Sequence, residues 1–240
     1  ITAKQLPEEP IETPLREEFV NLTLDDLIEA TVEEKIAEKD RVHYFVGIKG
    51  TGMSALANLL HDAGYKVMGS DTENYVFTEV ELKEKGIEIH PFGSNTITED
   101  MVVILGNSFY DDHVDVVKTK DVHAISYAYP EFLGKYLSEF TSIAVSGSHG
   151  KTTTTSMISD MLRSNVPTAH LIGDGRGQVD DGADVIVVEA CEYKRHFLSY
   201  KADFAVITNL EWDHVDYFHT IDDYLSAFEQ LANQIKDTVR

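Results

Sequence analysis

Residues 146–155 restrict the fold more than any other segment, because they read as a phosphate-binding loop between a strand and a helix. The apolar residues 142–145 lead into a glycine-bracketed turn, and Lys151 and Thr152 open a helix-compatible run. Glycines let backbone N–H groups approach phosphate oxygens, the lysine neutralises phosphate charge, and the threonine hydroxyl can ligate Mg²⁺. Val145 stands in place of the usual first glycine. A plain capped helix start is the weaker interpretation, since a strand pattern precedes the motif and a helical pattern follows it.

The composition disfavours several classes of partner. The chain has 240 residues, 42% of them hydrophobic, a net charge of −22 at pH 7 and a single cysteine, Cys191. So acidic a chain predicts no nucleic acid and no anionic membrane as partner, because both bind basic patches. No apolar run approaches the roughly 20 residues of a membrane span. One cysteine allows no intrachain disulfide, so we expect a cytoplasmic setting. The oligomeric state stays open.

The residue pattern divides the chain into three regions. Residues 1–41 predict an acidic extension or linker with a possible amphipathic helix from Leu24. Apolar strands then alternate with helical patterns, which is typical of α/β folds with parallel sheets covered on both faces. Residues 42–138 predict a Rossmann-like domain, and residues 139–240 predict the N-terminal part of a P-loop-type ATPase domain, incomplete at its end. The predicted strands span residues 42–48, 66–70, 88–90, 101–106, 123–126, 142–146, 169–172, 184–189 and 204–208.

A glycine-rich turn follows the first predicted strand, at residues 47–53. Its glycine order is G-x-x-G-x-G, whereas the dinucleotide fingerprint is G-x-G-x-x-G. Both orders let the backbone approach a diphosphate at a helix N-terminus. Asp71 ends the second strand 19 residues after Gly52, where an acid suits a ribose hydroxyl. The alternative is a tight turn in which Gly52 only packs.

Several ordered segments together resemble the Mur ligases, which build the peptide stem of bacterial peptidoglycan. They are the glycine-rich turn, residues 69–71, the phosphate loop with His149, the Glu-Ala segment at 187–193 and the Thr-Asn-x-x-x-Asp-His stretch from Thr208. The resemblance covers residues 42–240 and is greatest to the member that joins L-alanine to UDP-N-acetylmuramate. Many members have Asp where Cys191 stands, so we assign more weight to the glutamates on either side of it.

The resemblance implies a role for each matching position. Lys151, Glu189 and His214 are expected to be catalytic; one Mg²⁺ is expected at Thr152 and Glu189, and His214 is expected to help hold a second. The residues expected to hold ATP are Ser148, His149, Gly150, Lys151, Thr152, Thr153 and Asn209. The residues expected to hold the sugar nucleotide UDP-N-acetylmuramate are Gly50, Thr51, Gly52, Met53, Ser70, Asp71 and Asn107.

Two further segments carry predictions of their own. Residues 193–197 are a basic patch in an acidic chain, so Arg195 or His196 is expected to face anionic groups of the substrate; a solvated turn is the equal alternative. Residues 173–177 predict a flexible, glycine-rich loop after a strand, with or without substrate contact.

The implied activity is ATP-dependent ligation through an acyl phosphate, with L-alanine as the incoming amine. The resemblance also implies a third domain beyond Arg240, so we expect residues 1–240 not to ligate by themselves. Three alternatives remain: a ligase that recycles a ready-made tripeptide onto the same sugar nucleotide, a dinucleotide-dependent oxidoreductase, and a non-catalytic nucleotide-binding module. The wrong glycine order and the second phosphate loop count against the oxidoreductase.

Overall fold

Two five-stranded sheets form the framework of the chain, in a computed structural model that describes residues 39–235. The predicted acidic extension lies outside the described residues except for its last three positions. The described residues belong to one compact unit that begins at Lys39. No helix among residues 39–235 is long and apolar enough to cross a membrane.

The first sheet is entirely parallel, with strand order β3-β2-β1-β4-β5. The chain leaves β1 in one direction and returns to its other side with β4, so the strand order reverses between these two strands. Such a reversal opens a crevice at the carboxyl ends of the strands. The strands are β1 (Val42–Val46), β2 (Lys66–Asp71), β3 (Glu88–Pro91), β4 (Val102–Leu105) and β5 (Ile125–Ala128).

Four helices connect and cover this sheet. They are α1 (Thr51–Asp62), α2 (Glu79–Glu84), α3 (Val114–Asp121) and α4 (Tyr129–Leu137). The last of them, α4, has Pro130 in its first turn, where a missing N–H costs no helical hydrogen bond, and it leads to the second sheet.

The second sheet is mixed, with strand order β10-β6-β9-β7-β8. Its strands are β6 (Thr141–Ser146), β7 (Thr168–Leu171), β8 (Gly177–Val179), β9 (Val185–Glu189) and β10 (Phe204–Ile207). The helices of this half are α5 (Lys151–Arg163), a 3-10 segment (Tyr193–Ser199) and α6 (Ile221–Gln234). The predicted fold class, a Rossmann-like parallel sheet followed by a second α/β sheet, is confirmed.

The strand β8 differs from the sequence prediction. Of residues 173–177, expected to be a flexible loop, the first four lie in the turn after β7 and Gly177 begins β8, which pairs with β7 in the antiparallel direction. Ile172 N donates to the Arg176 carbonyl across this turn, and the Arg176 guanidinium pairs with Asp174 at 2.7 Å. The segment is therefore the turn of an ordered β7–β8 hairpin. The strand β8 has only three residues and no alternating apolar pattern, so the sequence did not predict it.

Helix α1 is the common element of the two sheets. Its residues 53–60 are all buried, which is typical of a helix covered on every side. A Cβ atom on Gly177 would lie 1.8 Å from the Ala55 carbonyl oxygen, so β8 contacts α1 backbone against backbone. A Cβ on Gly134 would lie 2.1 Å from the Ser199 carbonyl oxygen, so α4 contacts the 3-10 segment in the same way. One apolar cluster consequently contains residues from both sheets.

Substitution of Gly177 tests this backbone contact. Gly177→Ala is expected to destabilise the protein by about 3 kcal/mol, because neither backbone can shift without separating the two sheets. Urea unfolding followed by circular dichroism measures the change. Gly64→Ala is the matched control: Gly64 has open space around it and a φ of +87°, so only the left-handed backbone opposes the methyl group, at about 1 kcal/mol. Equal midpoints for the two variants would contradict the close contact.

Candidate functional site

A crevice of about 430 Å³ lies at the carboxyl ends of β1 and β4. Its lining comes from the glycine-rich turn, the start of α1, the end of β2, the loop after β4 and the first residue of α4. The lining residues are Gly47, Gly50, Thr51, Gly52, Met53, Asp71, Gly106, Asn107, Ser108, Phe109 and Tyr129. The structure thus brings together six of the seven positions that the resemblance implied for the sugar nucleotide, all except Ser70.

Two positions of this crevice require glycine because aromatic side chains pack directly against their Cα atoms and leave no room for a Cβ. Gly47 has a φ of +84°, and a Cβ there would lie 2.1 Å from the Phe109 ring. A Cβ on Gly52 would lie 2.9 Å from the Tyr129 hydroxyl oxygen. Neither aromatic was singled out from the sequence, although each closely follows a predicted strand, which is the signal that would have found them. Phe109 also packs edge-on against Phe92, so the wall is fixed by an aromatic cluster.

Asp71 is held by the backbone of the turn. Its Oδ2 accepts from Lys49 N at 2.8 Å, and its Oδ1 accepts from Thr72 N at 2.7 Å. The Lys49 ammonium points away from the crevice wall into a buried ion pair with Glu79 at 2.6 Å, and it donates to the carbonyls of Thr72 and Asn74. Lys49 therefore ties the glycine-rich turn to the segment after β2, and Asp71 keeps only its remaining lone pairs for a ribose hydroxyl.

Ser70 has a supporting position and does not line the crevice. It is fully buried, and its hydroxyl donates to Asp115 Oδ2 at 2.6 Å. The Ser70 carbonyl accepts from Gly47 N at 2.8 Å and from Ile48 N at 3.1 Å. Asp115 in turn accepts from Gly93 N at 2.8 Å. Ser70 therefore stabilises the turn that forms the crevice from beneath.

The phosphate loop follows β6, at the carboxyl end of this inner strand of the second sheet. Gly150 has a φ of +81° and precedes α5, whose N-terminus has no side-chain cap among the described residues. The Lys151 ammonium donates to the Gly147 carbonyl at 2.6 Å and lies 3.2–3.3 Å from both carboxylate oxygens of Glu192. Glu192 is completely buried. In this state the lysine is bonded to its own loop and to a buried counter-charge.

The segment from Thr208 to Glu211 supports this loop. Asn209 Oδ1 accepts from His149 N at 2.9 Å, and the Asn209 carbonyl accepts from Ser148 N at 3.2 Å. The Ser148 hydroxyl donates to the Glu211 carbonyl and lies 2.7 Å from the Tyr224 hydroxyl. Ser148 and Asn209, predicted to hold ATP, thus brace the loop, whereas His149 and Thr153 are exposed on it.

The three predicted metal ligands do not all share contacts. Glu189 ends β9 in register with Val145, the residue just before the phosphate loop. Glu189 Oε2 accepts from Gly173 N at 2.9 Å. His214 Nε2, by contrast, lies 3.5 Å from Glu192 Oε1. The structure therefore has Thr152 in the first turn of α5, the Glu189 carboxylate bonded to Gly173, and His214 grouped with Glu192 and Lys151.

Cys191 joins this group beside Glu192. Burial raises the pKa of its thiol, so the free side chain is a neutral thiol at neutral pH. Burial also raises the pKa of the Tyr129 hydroxyl, and the negative charge of Glu189 adds to the effect. Tyr129 therefore lines the crevice and also feels the charge of Glu189 in the second sheet. No residue pattern indicated this.

Arg195 and His196 separate into two roles. Arg195 Nη2 donates to Asp223 Oδ1 at 2.7 Å and to the Ser226 hydroxyl at 2.9 Å, so it fastens the 3-10 segment to α6. His196 Nδ1 lies 3.3 Å from Asn107 Nδ2, and this contact joins the crevice of the first sheet to the second half of the chain. Burial, and then Lys194, lowers the pKa of His196, so its ring is neutral and can accept from Asn107.

Comparison with protein families matches both halves of the chain. Residues 42–141 match the model described as Mur ligase family, catalytic domain, and residues 145–239 match the Mur ligase middle domain. Together these matches span both sheets.

Solved structures with the same fold include three peptide ligases. A UDP-N-acetylmuramate-alanine ligase from Thermotoga maritima is 27% identical, with a TM-score of 0.70 over 82% of this chain and 48% of that one. A UDP-N-acetylmuramate:L-alanyl-gamma-D-glutamyl-meso-diaminopimelate ligase from Neisseria meningitides is 24% identical, with a TM-score of 0.71 over 82% and 68%. A murein peptide ligase from Psychrobacter arcticus is 24% identical, with a TM-score of 0.64 over 82% and 52%. The chain thus spans about half to two thirds of the length of these relatives.

The Lys151–Glu192 pair is expected to be strongly coupled, because Glu192 has no access to water. A double-mutant cycle with Lys151→Met and Glu192→Gln should give a coupling energy of about 1–3 kcal/mol in urea unfolding. The exposed pair Lys66–Asp40, with N–O separation 3.2 Å, is the matched control and should give a coupling near zero. A cycle at Lys151–Glu192 as weak as the control would contradict the buried pair.

Proposed function

The chain belongs to the Mur ligase family, and we propose that it supplies the sugar-nucleotide and ATP sites of an ATP-dependent ligase that joins L-alanine to UDP-N-acetylmuramate. One observation carries the proposal: Asn107, at the rim of the crevice, contacts His196 of the second half at 3.3 Å. A substrate whose nucleotide end lies in the crevice can therefore extend its reactive end past this contact toward the phosphate loop.

The crevice suits the diphosphate of a nucleotide sugar. The first turn of α1 contains no acidic residue, so the positive end of the helix is not neutralised there. The glycines of the turn leave backbone N–H groups accessible to phosphate oxygens. This local source of positive character matters in a chain with a net charge of −22, because the overall field repels anions.

The phosphate loop suits the triphosphate of ATP. The first turn of α5 also lacks acidic residues, and Gly150 opens the backbone at its N-terminus. We infer that Lys151 leaves the Gly147 carbonyl and Glu192 and pairs with phosphate when the nucleotide binds. Thr152 and Glu189 offer the oxygen ligands that Mg²⁺ prefers. Bound Mg²⁺ would neutralise phosphate charge during transfer.

The proposed reaction has two transfers. A carboxylate oxygen of the muramate attacks the γ-phosphorus, the bond from phosphorus to the bridging oxygen breaks, and ADP leaves with an acyl phosphate formed. The amine of L-alanine then attacks the acyl carbon, phosphate leaves, and the amine proton passes to solvent. The residues of the chain contribute positioning and charge neutralisation, which supply most of the catalysis in phosphoryl transfer.

Support for L-alanine as the amine comes from the 27% identity to the alanine ligase. The alternative, a ready-made tripeptide, is tested by adding either compound to the chain extended through the implied third domain, in the presence of UDP-N-acetylmuramate and a non-hydrolysable ATP analogue. We expect L-alanine, and not the tripeptide, to raise the melting temperature further, because a ligand that binds only the native state stabilises it. The opposite pattern would assign the chain to tripeptide recycling.

Substitution of Asn107 tests the sugar-nucleotide site. Calorimetric titration with UDP-N-acetylmuramate should give one-site binding, and Asn107→Ala should weaken it about tenfold, the effect of one lost hydrogen bond of about 1.4 kcal/mol. Asn165→Ala is the matched control, because Asn165 lies just beyond the far end of α5 and its side chain donates only to the Met161 carbonyl among its described contacts. Binding of NAD with no binding of the sugar nucleotide would favour the oxidoreductase reading.

Substitution of Thr152 tests the ATP site separately. Thr152→Val keeps the shape of the side chain and removes the hydroxyl, so it should abolish the Mg²⁺-dependent part of ATP-analogue binding. Affinity for UDP-N-acetylmuramate should stay unchanged, since the crevice lies on the other sheet. Thr154→Val is the control, because Thr154 lies in the same helix two residues after Thr152. Unaltered Mg²⁺ dependence in Thr152→Val would remove Thr152 from the metal site.

A further inference from the structure

Three side chains of different chemistry converge at the carboxyl edge of the second sheet. Cys191 Sγ, a carboxylate oxygen of Glu192 and a ring nitrogen of His214 all lie within 4.8 Å of one another. Tetrahedral coordination with metal–ligand distances of about 2.0–2.3 Å places ligand atoms about 3.5 Å apart. Closing this group around an ion therefore needs side-chain shifts of roughly 1 Å.

The backbone holds the group in place. Glu192 has left the strand conformation, with φ −74° and ψ −21°, so its side chain and that of Cys191 need not point to opposite faces. His214 has a positive φ of 51°, and its carbonyl accepts from the backbone N–H groups of Tyr217 and Phe218. Its ring packs at 4.8 Å from the ring of Tyr193. The imidazole is thus presented to Glu192 by a fixed turn.

A second observation points to a ligand at this place. Glu192 is completely buried, and within residues 39–235 its Oε2 atom forms no hydrogen bond, although the Lys151 ammonium lies 3.2 Å away. Buried carboxylates ordinarily have their lone pairs satisfied by hydrogen bonds or a metal, because desolvation is costly. The Glu192 carboxylate therefore has capacity for a cation beyond the lysine, and its other oxygen, Oε1, is the one that lies 3.5 Å from His214 Nε2.

We propose that Cys191, Glu192 and His214 form a site for a thiophilic divalent transition metal of the Zn²⁺ type. One sulfur, one nitrogen and one oxygen ligand suit Zn²⁺ and Co²⁺ and do not suit Mg²⁺, which prefers oxygen alone. As the sulfur–metal bond forms, the thiol proton passes to the buffer. The site shares His214 with the metal ligands that the resemblance implies, but it does not include Thr152 or Glu189, and metal binding to it does not require the proposed ligase activity.

Metal at this site competes with Lys151 for Glu192. The ammonium lies 3.2–3.3 Å from the same carboxylate, so bound metal and the resting lysine repel one another. Removing the lysine charge is therefore expected to tighten metal binding, and coupling of this kind is reciprocal. A thiol that captured metal without Glu192 would show no such dependence.

Cobalt titration of the full chain tests the site, because Cys191 is the single cysteine and any sulfur-to-cobalt charge-transfer band in the near ultraviolet must arise from it. We expect a band that saturates at one equivalent and that Zn²⁺ abolishes by displacement. Cys191→Ser should eliminate the band, His214→Gln should weaken cobalt binding at least tenfold, and Lys151→Met should strengthen it.

Either of two results would overturn the proposal. One is absence of the band in chain that is folded by circular dichroism. The other is a band whose cobalt dependence is unchanged in His214→Gln and Lys151→Met, which would mean capture by an isolated thiol. Met161→Gln, on the exposed face of α5, is the control for nonspecific changes and should leave the titration unaltered. Calorimetric binding of UDP-N-acetylmuramate to the same samples shows separately whether the ligase assignment holds.

Discussion

Burial of helix α1 between two sheets is the constraint on which the rest of the structure depends. Its residues 53–60 are all covered, and the absence of a side chain on Gly177 lets β8 contact the helix backbone directly. The N-terminus of the same helix lines the crevice. Because packed cores deform little, the helix fixes the separation between the crevice and the phosphate loop.

Both proposed anion sites are built from backbone rather than from clusters of basic side chains. Each lies where a glycine turn meets a helix whose first turn lacks acidic residues. Lys49 lies within the glycine-rich turn before α1, but its ammonium forms an ion pair with Glu79. A chain with a net charge of −22 can in this way bind anions locally while its overall field disfavours polyanionic partners.

The sequence allowed the family, the fold class and most strands to be predicted, because parallel strands buried on both faces read as apolar runs and glycine turns are local signals. The roles of individual side chains were less accessible. Ser70 bonds Asp115, 45 positions away, and Arg195 bonds Asp223, 28 positions away. Such partners are set by tertiary packing, as is the pairing of the three-residue strand β8, and no local pattern encodes them.

The Glu192 carboxylate lies between Lys151 of the phosphate loop and His214. A carboxylate without access to water needs a cation beside it, since an uncompensated buried charge costs several kcal/mol. In the present state Lys151 supplies that cation, and His214 lies on the other side of the carboxylate at 3.5 Å. If Lys151 moves to a bound phosphate, a cation bound between His214 and Cys191 would compensate the charge of Glu192. The position of the Lys151 ammonium and the binding of a cation beside His214 are then coupled, because both depend on the carboxylate of Glu192, which has no contact with solvent.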